Sequence, residues 1–179
     1  MNRRQILKKT GLFLSAAVLF FFIGYFAPHG NFGSYSNDFS PRQSYSVVKV
    51  IDGDTIQVER GGERELVRLL GINTPEVESS YRRQECFGPE ASRETKRLLE
   101  GRKVYLLPDP NASDRDKYNR LLRYVFLPNG EFVNAELVKN GYAFSYILEP
   151  IQFQDFFDNL EEKAQKNKLG LWGECRKEF

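Results

Sequence analysis

The sequence predicts a small α+β domain built on a five-stranded β-barrel with three helices, preceded by a hydrophobic N-terminal helix. Downstream of residue 45, short β-rich runs alternate with segments whose apolar residues follow helical spacing. Glycine and proline mark the breaks between these runs. A single uncharged apolar stretch stands apart near the N-terminus, and 179 residues suffice for one domain with appendages.

The first thirty residues are predicted to be an export signal. Arg3 and Arg4 open a basic segment and resemble a twin-arginine signal, while residues 11–27 carry no charge. Tyr25-Phe26-Ala27 has a bulky residue where a cleavage site needs a small one, so residues 1–30 are predicted to be a signal peptide or an uncleaved signal-anchor in the membrane. Basic residues before the apolar run predict a domain that is secreted or anchored to the outer face of the cytoplasmic membrane.

The rest of the chain divides into a tether and a folded domain. Residues 31–44 are rich in Ser and Asn and are predicted to be a flexible linker, which assigns residues 45–176 to the domain. Residues 1–30 hold four of the 26 basic residues and no acidic one, so the remainder has 22 basic and 24 acidic residues, a net charge of −2. An anionic ligand must therefore be held by a local arrangement of charge.

Three strands are predicted at the start of the domain, over residues 46–52, 54–60 and 64–71. Each is rich in β-branched or large apolar residues, and Gly61-Gly62 supplies a hairpin turn between the second and the third. Residues 76–87 have no apolar period and are predicted to form a polar loop.

A first helix is predicted to begin at Gly88-Pro89-Glu90, because Pro is favoured in the first turn and Glu lies near the positive end of the helix dipole. Gly101 ends this helix, and a fourth strand follows over Lys103–Leu107. Helical spacing predicts four buried positions on the helix, at Ala91, Thr95, Leu98 and Leu99.

The second half of the domain is predicted to hold a fifth strand and two more helices. A charged loop over 113–120 leads into the strand Leu121–Phe126, and a short helix over 131–140 ends at Gly141. The short helix is expected to bury Val133, Leu137 and Val138. The last helix ends near Gly170 and carries a stripe predicted to be plain core, with Phe153, Phe156, Phe157, Leu160 and Ala164.

Cysteine and histidine usage limits the possible chemistry. Cys86 and Cys175 both lie in the domain assigned to export, where an even pair predicts one disulfide; two buried free thiols are the alternative. His29 is the single histidine and lies just past the apolar run. Histidine-based zinc sites and Ser-His or Cys-His catalysis are therefore excluded, which leaves carboxylates, Arg, Tyr or a metal.

The segment from Arg68 to Glu76, together with Asp54, is the candidate functional centre. A strand ending in Arg68-Leu69-Leu70 can turn its lone Arg away from apolar neighbours, and Thr74-Pro75-Glu76 puts a hydroxyl and a carboxylate on a rigid turn. A carboxylate-rich turn beside a guanidinium suits a hard cation and a phosphate together. An ordinary solvated β-turn is the alternative at this point.

Six motifs stand in a fixed order between about Ser46 and Trp172. They are Ile51-Asp52-Gly53-Asp54-Thr55, Arg68-Leu69-Leu70 leading into Thr74-Pro75-Glu76, Gly88-Pro89-Glu90-Ala91-Ser92, Asp116-Lys117-Tyr118-x-Arg120, Val133-Asn134 with Leu137-Val138 and Gly141, and Leu169-Gly170-Leu171-Trp172. The first motif alone is weak, whereas six in order are specific. On these motifs the chain resembles the thermonuclease (staphylococcal nuclease) family.

The resemblance implies an OB-fold barrel with three helices and a Ca²⁺-dependent phosphodiesterase that acts on DNA and RNA and leaves 3′-phosphate ends. It implies that Asp54 is a metal ligand, that Thr74 binds the metal through its backbone carbonyl, and that Asp52 lies just behind. Asn73 stands where the family usually has Asp. Its amide oxygen can bind Ca²⁺ but adds no negative charge, so lower metal affinity is expected.

The resemblance also implies roles around the scissile phosphate. Arg68 and Arg120 would grip the phosphate as planar forks, and Glu76 would act on the attacking water. Asn119 replaces the Gly that is common before Arg120, and Asn tolerates a left-handed backbone. The residues expected to bind substrate are Lys117, Tyr118 and Tyr146, the last matched across a one-residue gap.

The favoured hypothesis is an exported or membrane-tethered monomeric nuclease with Ca²⁺ as cofactor and DNA and RNA as substrates. A non-catalytic nucleic-acid-binding OB-fold module of the envelope is the main alternative. The retained arginines and acidic residues argue against that alternative, whereas Asn73 partly favours it. A structural envelope domain is the third hypothesis.

Overall fold

The structure, a computed structural model, describes residues 43–78, 80, 83–147 and 149–175. The predicted export segment over 1–30 and nearly all of the linker over 31–44 lie outside these residues, so both assignments stay predictions. Within the described ranges, no helix combines the length and the apolar character of a membrane span.

Five of the strands and three of the helices are those predicted from the sequence. The predicted strands are β1 (Tyr45–Val50), β2 (Thr55–Arg60), β3 (Glu63–Leu69), β5 (Lys103–Leu107) and β6 (Leu121–Phe126), and the predicted helices are α1 (Gly88–Leu99), α2 (Val133–Lys139) and α3 (Gln154–Lys166). Three short elements were not predicted: β4 (Ile72–Asn73), β7 (Phe144–Ser145) and α4 (Leu171–Glu174). Elements of two to four residues are too short to show a period in the sequence.

The five longer strands close into a barrel in the order β1-β2-β3-β6-β5, with β5 pairing back to β1. This confirms the predicted five-stranded barrel. All neighbouring strands are antiparallel except β3 and β6, which run parallel with Val67 opposite Leu121. The parallel pairing matters for function, because it brings the loop that precedes β6 beside β3.

β3 ends at Leu69, two residues before its predicted end, because the backbone turns sharply at Gly71. Gly71 has φ +78°, and a Cβ there would lie 2.5 Å from Cε2 of Phe157, so only glycine fits. After this turn, β4 pairs antiparallel with β7 and sets Asn73 opposite Phe144. The candidate metal turn is therefore held by a strand pair of its own outside the barrel.

A buried amide fixes the end of β3 against β6. The Asn134 side chain lies in α2 and accepts a hydrogen bond from the Val125 N–H at 2.8 Å. Its Nδ2 donates to the Leu70 carbonyl at 2.9 Å. Since buried polar groups need partners, this amide locks the two strands in place where the candidate site begins. The three positions predicted to be buried in α2 are buried.

The prediction for the last helix is wrong in one residue and in its end. Phe157 and Ala164 are fully buried, but Phe156 is 45% exposed. Adjacent residues differ by about 100° around a helix, so Phe156 faces away from the stripe that Phe157 occupies. α3 ends at Lys166, before the positive φ of Lys168, rather than near Gly170.

Cys86 and Cys175 form a disulfide, with their Cα atoms 5.9 Å apart, which confirms the predicted pairing. The bond joins the loop before α1 to the residue after α4, across 89 positions of the sequence. It therefore closes most of the domain into one covalent loop.

Replacement of both cysteines by serine is expected to lower the free energy of unfolding by about 3–5 kcal/mol, because the bridge restricts the unfolded chain. Urea unfolding of the full chain in oxidising buffer measures this difference. Wild-type protein unfolded with a reductant is the control and should match the double variant. Equal unfolding free energies with and without the bridge would contradict the expectation.

Candidate active site

The strand register brings Asp54 and Arg68 together. Thr55 of β2 lies opposite Arg68 of β3, and the Leu69 N–H donates to the Asp54 carbonyl at 2.8 Å. Nη2 of Arg68 then pairs with Oδ2 of Asp54 at 3.0 Å. Both side chains are about nine-tenths buried, so this is an interior ion pair rather than a surface one.

The Arg68 guanidinium donates hydrogen bonds to several groups of the turn that follows β3. Nη1 donates to the carbonyls of Leu69 and Ile72, both at 2.8 Å. Nη2 donates to Oδ1 of Asn73 at 3.0 Å in addition to its pairing with Asp54. These acceptors engage the donors of both terminal nitrogens and so hold the guanidinium in one orientation.

The Asp54 carboxylate joins two turns that are distant in sequence. Oδ2 accepts the Thr74 N–H at 2.9 Å and the Thr74 hydroxyl at 3.3 Å. A Cβ at Gly53 would lie 2.5 Å from Oγ1 of Thr74, so glycine is needed for the turns to approach this closely. Oδ1 of Asp52 accepts the Asp54 N–H at 3.1 Å, and its place behind a bound metal stays a prediction.

The charge of Asp54 is only partly balanced. Burial raises the pKa of its carboxyl above the ordinary value, the Arg68 guanidinium opposes the rise, and the neighbouring Asp52 adds to it. A buried carboxylate in this condition gains from a further positive charge nearby. The electrostatics therefore favour a cation at this position.

The raised pKa of Asp54 has a consequence for stability. A carboxyl whose pKa is higher in the folded state binds its proton more tightly there, so its contribution to stability falls as pH rises from about 4, the ordinary carboxyl range, through the folded pKa. Asp54→Asn removes this loss. In the presence of a chelator, the unfolding free energy of the variant minus that of wild type is expected to increase as pH rises. Urea unfolding over a pH series measures the difference, and a difference independent of pH would contradict the prediction.

Arg120 reaches the same centre from the other side. The parallel pairing of β3 with β6 places Arg120, directly before β6, close to the start of β2. Its Nη1 donates to Oγ1 of Thr55 at 3.2 Å, and Thr55 in turn donates to Oδ1 of Asp54 at 3.2 Å. A continuous chain of polar contacts therefore links Arg120 through Thr55 and Asp54 to Arg68.

Asp116 fixes the loop that presents Arg120. Its Oδ2 accepts from Nε and pairs with Nη2 of Arg120, both at 2.7 Å, and its Oδ1 accepts the Tyr118 and Arg120 N–H groups at 2.9 Å. Asn119 has φ +64°, which confirms the expected left-handed turn. Neither Asp116 nor Thr55 was predicted from the sequence to have a role. Asp116 could have been found, since Asp followed by a tight loop is typical of a side chain that caps its own turn.

Two tyrosines border the centre. Tyr118 is 64% exposed, with Nζ of Lys117 5.0 Å and Cζ of Arg120 5.3 Å from its ring centroid. Tyr146 is 42% exposed and its N–H donates to the Gly71 carbonyl at 3.0 Å. It lines a hollow whose walls include Arg68, Leu122, Glu149 and Ile151. Lys117 and Tyr118 thus lie with Arg120, whereas Tyr146 lies with Arg68.

Glu76 lies on the same turn as the candidate ligands, two residues after Thr74. Its N–H donates to Oε2 of Glu85 at 2.9 Å, and the Glu85 N–H donates to the Glu76 carbonyl at the same distance. From the sequence, Glu85 was predicted to lie in a polar loop and to have no role. No local pattern signals this contact, because it depends on how the loop closes.

The oxygen atoms around Asp54 fit a hard cation. The Asp52 carboxylate lies beside the Asp54 backbone and the Asn73 amide oxygen lies beside Arg68, whereas Thr74 turns its N–H toward the Asp54 carboxylate. Carboxylate and amide oxygens are ligands that suit Ca²⁺. In the described part of the chain, no three His, Cys, Asp or Glu side chains form a cluster. The Asn73 oxygen accepts from Arg68, so its role as a ligand stays a prediction, as does that of the Thr74 carbonyl.

The chain is similar in sequence to proteins named as nucleases. Residues 66–174 match the model of a family described as staphylococcal nuclease homologue. The thermonuclease of Staphylococcus hyicus is 35% identical over 165 residues, which cover 91% of this chain and 96% of that protein. The thermonuclease of Staphylococcus intermedius is 35% identical over 162 residues, covering 90% and 94%. Endonuclease YncB of Bacillus subtilis is 37% identical over 126 residues, covering 69% and 59%.

Proposed function

The chain belongs to the staphylococcal nuclease family, and we propose from this that it hydrolyses phosphodiester bonds in DNA and RNA with Ca²⁺ as its cofactor. The thermonuclease and endonuclease relatives support a nuclease. The observation that carries the proposal is the polar chain from Arg68 through Asp54 and Thr55 to Arg120. It holds two guanidinium groups on either side of one buried carboxylate.

This pair of arginines suits a phosphodiester in its transition state. Negative charge builds up on the phosphoryl oxygens as the bond to the leaving oxygen breaks, and planar guanidinium forks match these oxygens bidentately. Arg120 is already oriented by Asp116, and Arg68 by the carbonyls of the turn. Donors that need no reorganisation stabilise such charge most effectively.

Glu76 supplies the acidic group for the attacking water. Glu76 follows Thr74 by two residues on the turn that is bonded to the Asp54 carboxylate. A carboxylate in that position can orient a water molecule and accept its proton during attack on phosphorus. The products expected from this reaction carry 3′-phosphate ends.

Exposed aromatic rings near the arginines suit the bases of a flexible strand. Tyr118 offers a face beside the cations of Lys117 and Arg120, which fits a base stacked next to its phosphate. Tyr146 offers a second ring at the hollow next to Arg68. Stacking tolerates every base, so both DNA and RNA are expected substrates.

Ca²⁺ would be held by Asp54, Asn73 and Thr74, with Asp52 behind them. When bound, the ion supplies positive charge that stabilises the negative phosphoryl oxygens. Asn73 contributes no charge to this set, so Asp54 is the one carboxylate expected to bind the ion directly. We propose that this lowers the affinity of the site for Ca²⁺.

Asn73→Asp is expected to tighten Ca²⁺ binding, because one added charge at ~4 Å contributes a few kcal/mol before desolvation and repulsion are subtracted. Activity should rise at limiting Ca²⁺, and the gain should shrink at saturation. Calorimetric titration measures the dissociation constant. Asn129→Asp, in an exposed turn, is the matched control and should leave it unchanged. An unchanged constant for Asn73→Asp would show that this residue does not bind the ion.

We further propose that the protein acts outside the cytoplasm, secreted or anchored to the outer face of the membrane. The basic and apolar pattern of residues 1–30 supports this, and the disulfide fits an oxidising compartment. Detection of the full chain in membrane and medium fractions, with protease added to intact cells, tests the location. Protection of the domain from external protease would contradict it.

Digestion of plasmid DNA and of total RNA by the full chain tests the proposed activity. Both substrates should be degraded with added Ca²⁺, and a Ca²⁺ chelator should stop the reaction. Arg97→Ala is a control, because Arg97 pairs with Glu94 on the exposed face of α1. Binding of nucleic acid without cleavage would instead support the non-catalytic alternative.

A further inference from the structure

We infer that Glu85 positions Glu76 and that the Cys86–Cys175 disulfide holds Glu85 in place, so that turnover depends on the redox state of this bridge. The inference rests on the role proposed above for Glu76. Glu85 acts through another residue and is therefore a positioning residue rather than a catalytic one.

Glu85 forms hydrogen bonds with both the N–H and the carbonyl of Glu76. The Glu85 carboxylate accepts the Glu76 N–H, and the Glu85 N–H donates to the Glu76 carbonyl, both at 2.9 Å. A carboxylate is a stronger acceptor for an N–H than a neutral group is. These two bonds join Glu85 to Glu76 and fix the backbone from which the Glu76 side chain extends.

The start of α1 lies in close contact with the Glu76 carbonyl. The Gly88 N–H donates to the Glu85 carbonyl at 3.1 Å, and a Cβ at Gly88 would lie 2.2 Å from the Glu76 carbonyl oxygen. The position of Glu76 is therefore sensitive to small movements of residues 85–88.

The segment between Glu85 and α1 contains a strained residue. Phe87 has φ +71°, a conformation that bulky residues rarely adopt, and its ring packs on Tyr142 at 5.5 Å between centroids. Such a backbone persists only where its surroundings determine it. Cys86, directly before Phe87, supplies that constraint through its bond to Cys175.

The other end of the disulfide is firmly attached to the domain. The Cys175 N–H donates to the Leu171 carbonyl at 3.0 Å, and the Leu171 N–H donates to the Gly141 carbonyl at 2.9 Å. Leu171 is also buried in the protein. The bridge therefore ties the residue next to Glu85 to the end of α2, and its reduction frees Phe87 to relax and Glu85 to move.

Kinetics of the full chain test the inference. Reduction with a phosphine, or Cys86→Ser with Cys175→Ser, should lower kcat about tenfold, because small misplacements of catalytic groups have effects of this size or larger. KM should change less than about twofold, since the groups that bind substrate are not moved. Unchanged kcat in a reduced protein that remains folded by circular dichroism would overturn the inference.

Variants of Glu85 separate positioning from general stability while the bridge is intact. Glu85→Ala should lower kcat about as much as reduction does, whereas Glu85→Gln keeps an acceptor oxygen and should lose less than about threefold. Reduction of Glu85→Ala should then lower kcat no more than about twofold further, because both changes break one coupled unit. Glu90→Ala, on the first turn of α1, is the matched control. An equal effect of reduction in wild type and Glu85→Ala would show that the bridge acts without Glu85.

Amide hydrogen exchange at Glu76 decides the inference independently of activity. Exchange should be slow in the oxidised protein and at least about tenfold faster after reduction and in Glu85→Ala, because the N–H loses its acceptor. Unchanged exchange would overturn the inference. An oxidised wild type that lacks nuclease activity would contradict the proposed function, whereas the exchange rates would still test the hydrogen bonds between Glu85 and Glu76.

Discussion

Replacement of Arg120 by alanine is expected to lower kcat by about two orders of magnitude or more, because one preorganised donor to a developing anion typically contributes a factor of about 10²–10³. Asp116 and Thr55 hold the Arg120 guanidinium in one orientation, so it is such a donor. Arg120→Lys keeps the charge but loses the planar fork, and should recover only part of the rate. Initial rates at saturating Ca²⁺ measure both effects.

Arg97→Ala controls for the loss of an arginine as such. Arg97 is exposed and pairs with Glu94 one turn earlier in α1, so the variant should cleave DNA at nearly the wild-type rate. Circular dichroism should show that both variants remain folded. Near-normal turnover by Arg120→Ala at saturating Ca²⁺ would remove Arg120 from the catalytic assignment.

Glu76→Gln is expected to have an effect of similar size, lowering kcat by about two orders of magnitude, because the amide cannot accept a proton from water. KM should change little, since the arginines and tyrosines that bind substrate are untouched. Single-turnover cleavage of a labelled oligonucleotide measures the chemical step directly.

Glu90→Gln is the matched control for Glu76→Gln. Glu90 pairs with Arg93 on the surface of α1, so its loss should leave the chemical step unchanged. If Glu76→Gln cleaved as fast as Glu90→Gln, another group would have to act on the water.

Much of the fold could be predicted because its long elements carry local signals. β2 and α1 show the apolar period and the terminal residues that their conformation requires, and both were predicted within about two residues of their observed ends. β4 and β7 could not be predicted, since two-residue strands form only where tertiary contacts bring them together. Phe156 was misplaced because a run of aromatic residues does not show which of two neighbours faces the core.

The candidate site was predictable in its residues but not in its connections. Short motifs that can be recognised in the sequence alone contain Asp52, Asp54, Arg68 and Glu76. The contact of Arg120 with Thr55 depends on the parallel pairing of β3 with β6, which no local pattern encodes.

Asn73 illustrates the same limit. From the sequence, Asn73 is predicted to be a neutral ligand in the candidate metal turn, whereas in the structure its oxygen accepts a hydrogen bond from Arg68. Asn73 therefore helps to orient an arginine whether or not it binds Ca²⁺. That second contact follows from the Gly71 turn, which folds residues 72–73 back over Arg68.

The most direct test of the account is the rate at which the full chain cleaves a labelled oligonucleotide as Ca²⁺ is varied, measured for wild type and for Asp54→Asn. Asp54 pairs with Arg68 and, through Thr55, is linked to Arg120, so it is central to both the cation and the phosphate proposals. Wild-type cleavage is expected to rise with Ca²⁺ to a plateau and to leave 3′-phosphate ends, while Asp54→Asn should stay near the rate without metal. Equal cleavage by the two proteins, or wild-type cleavage unaffected by a chelator, would contradict it.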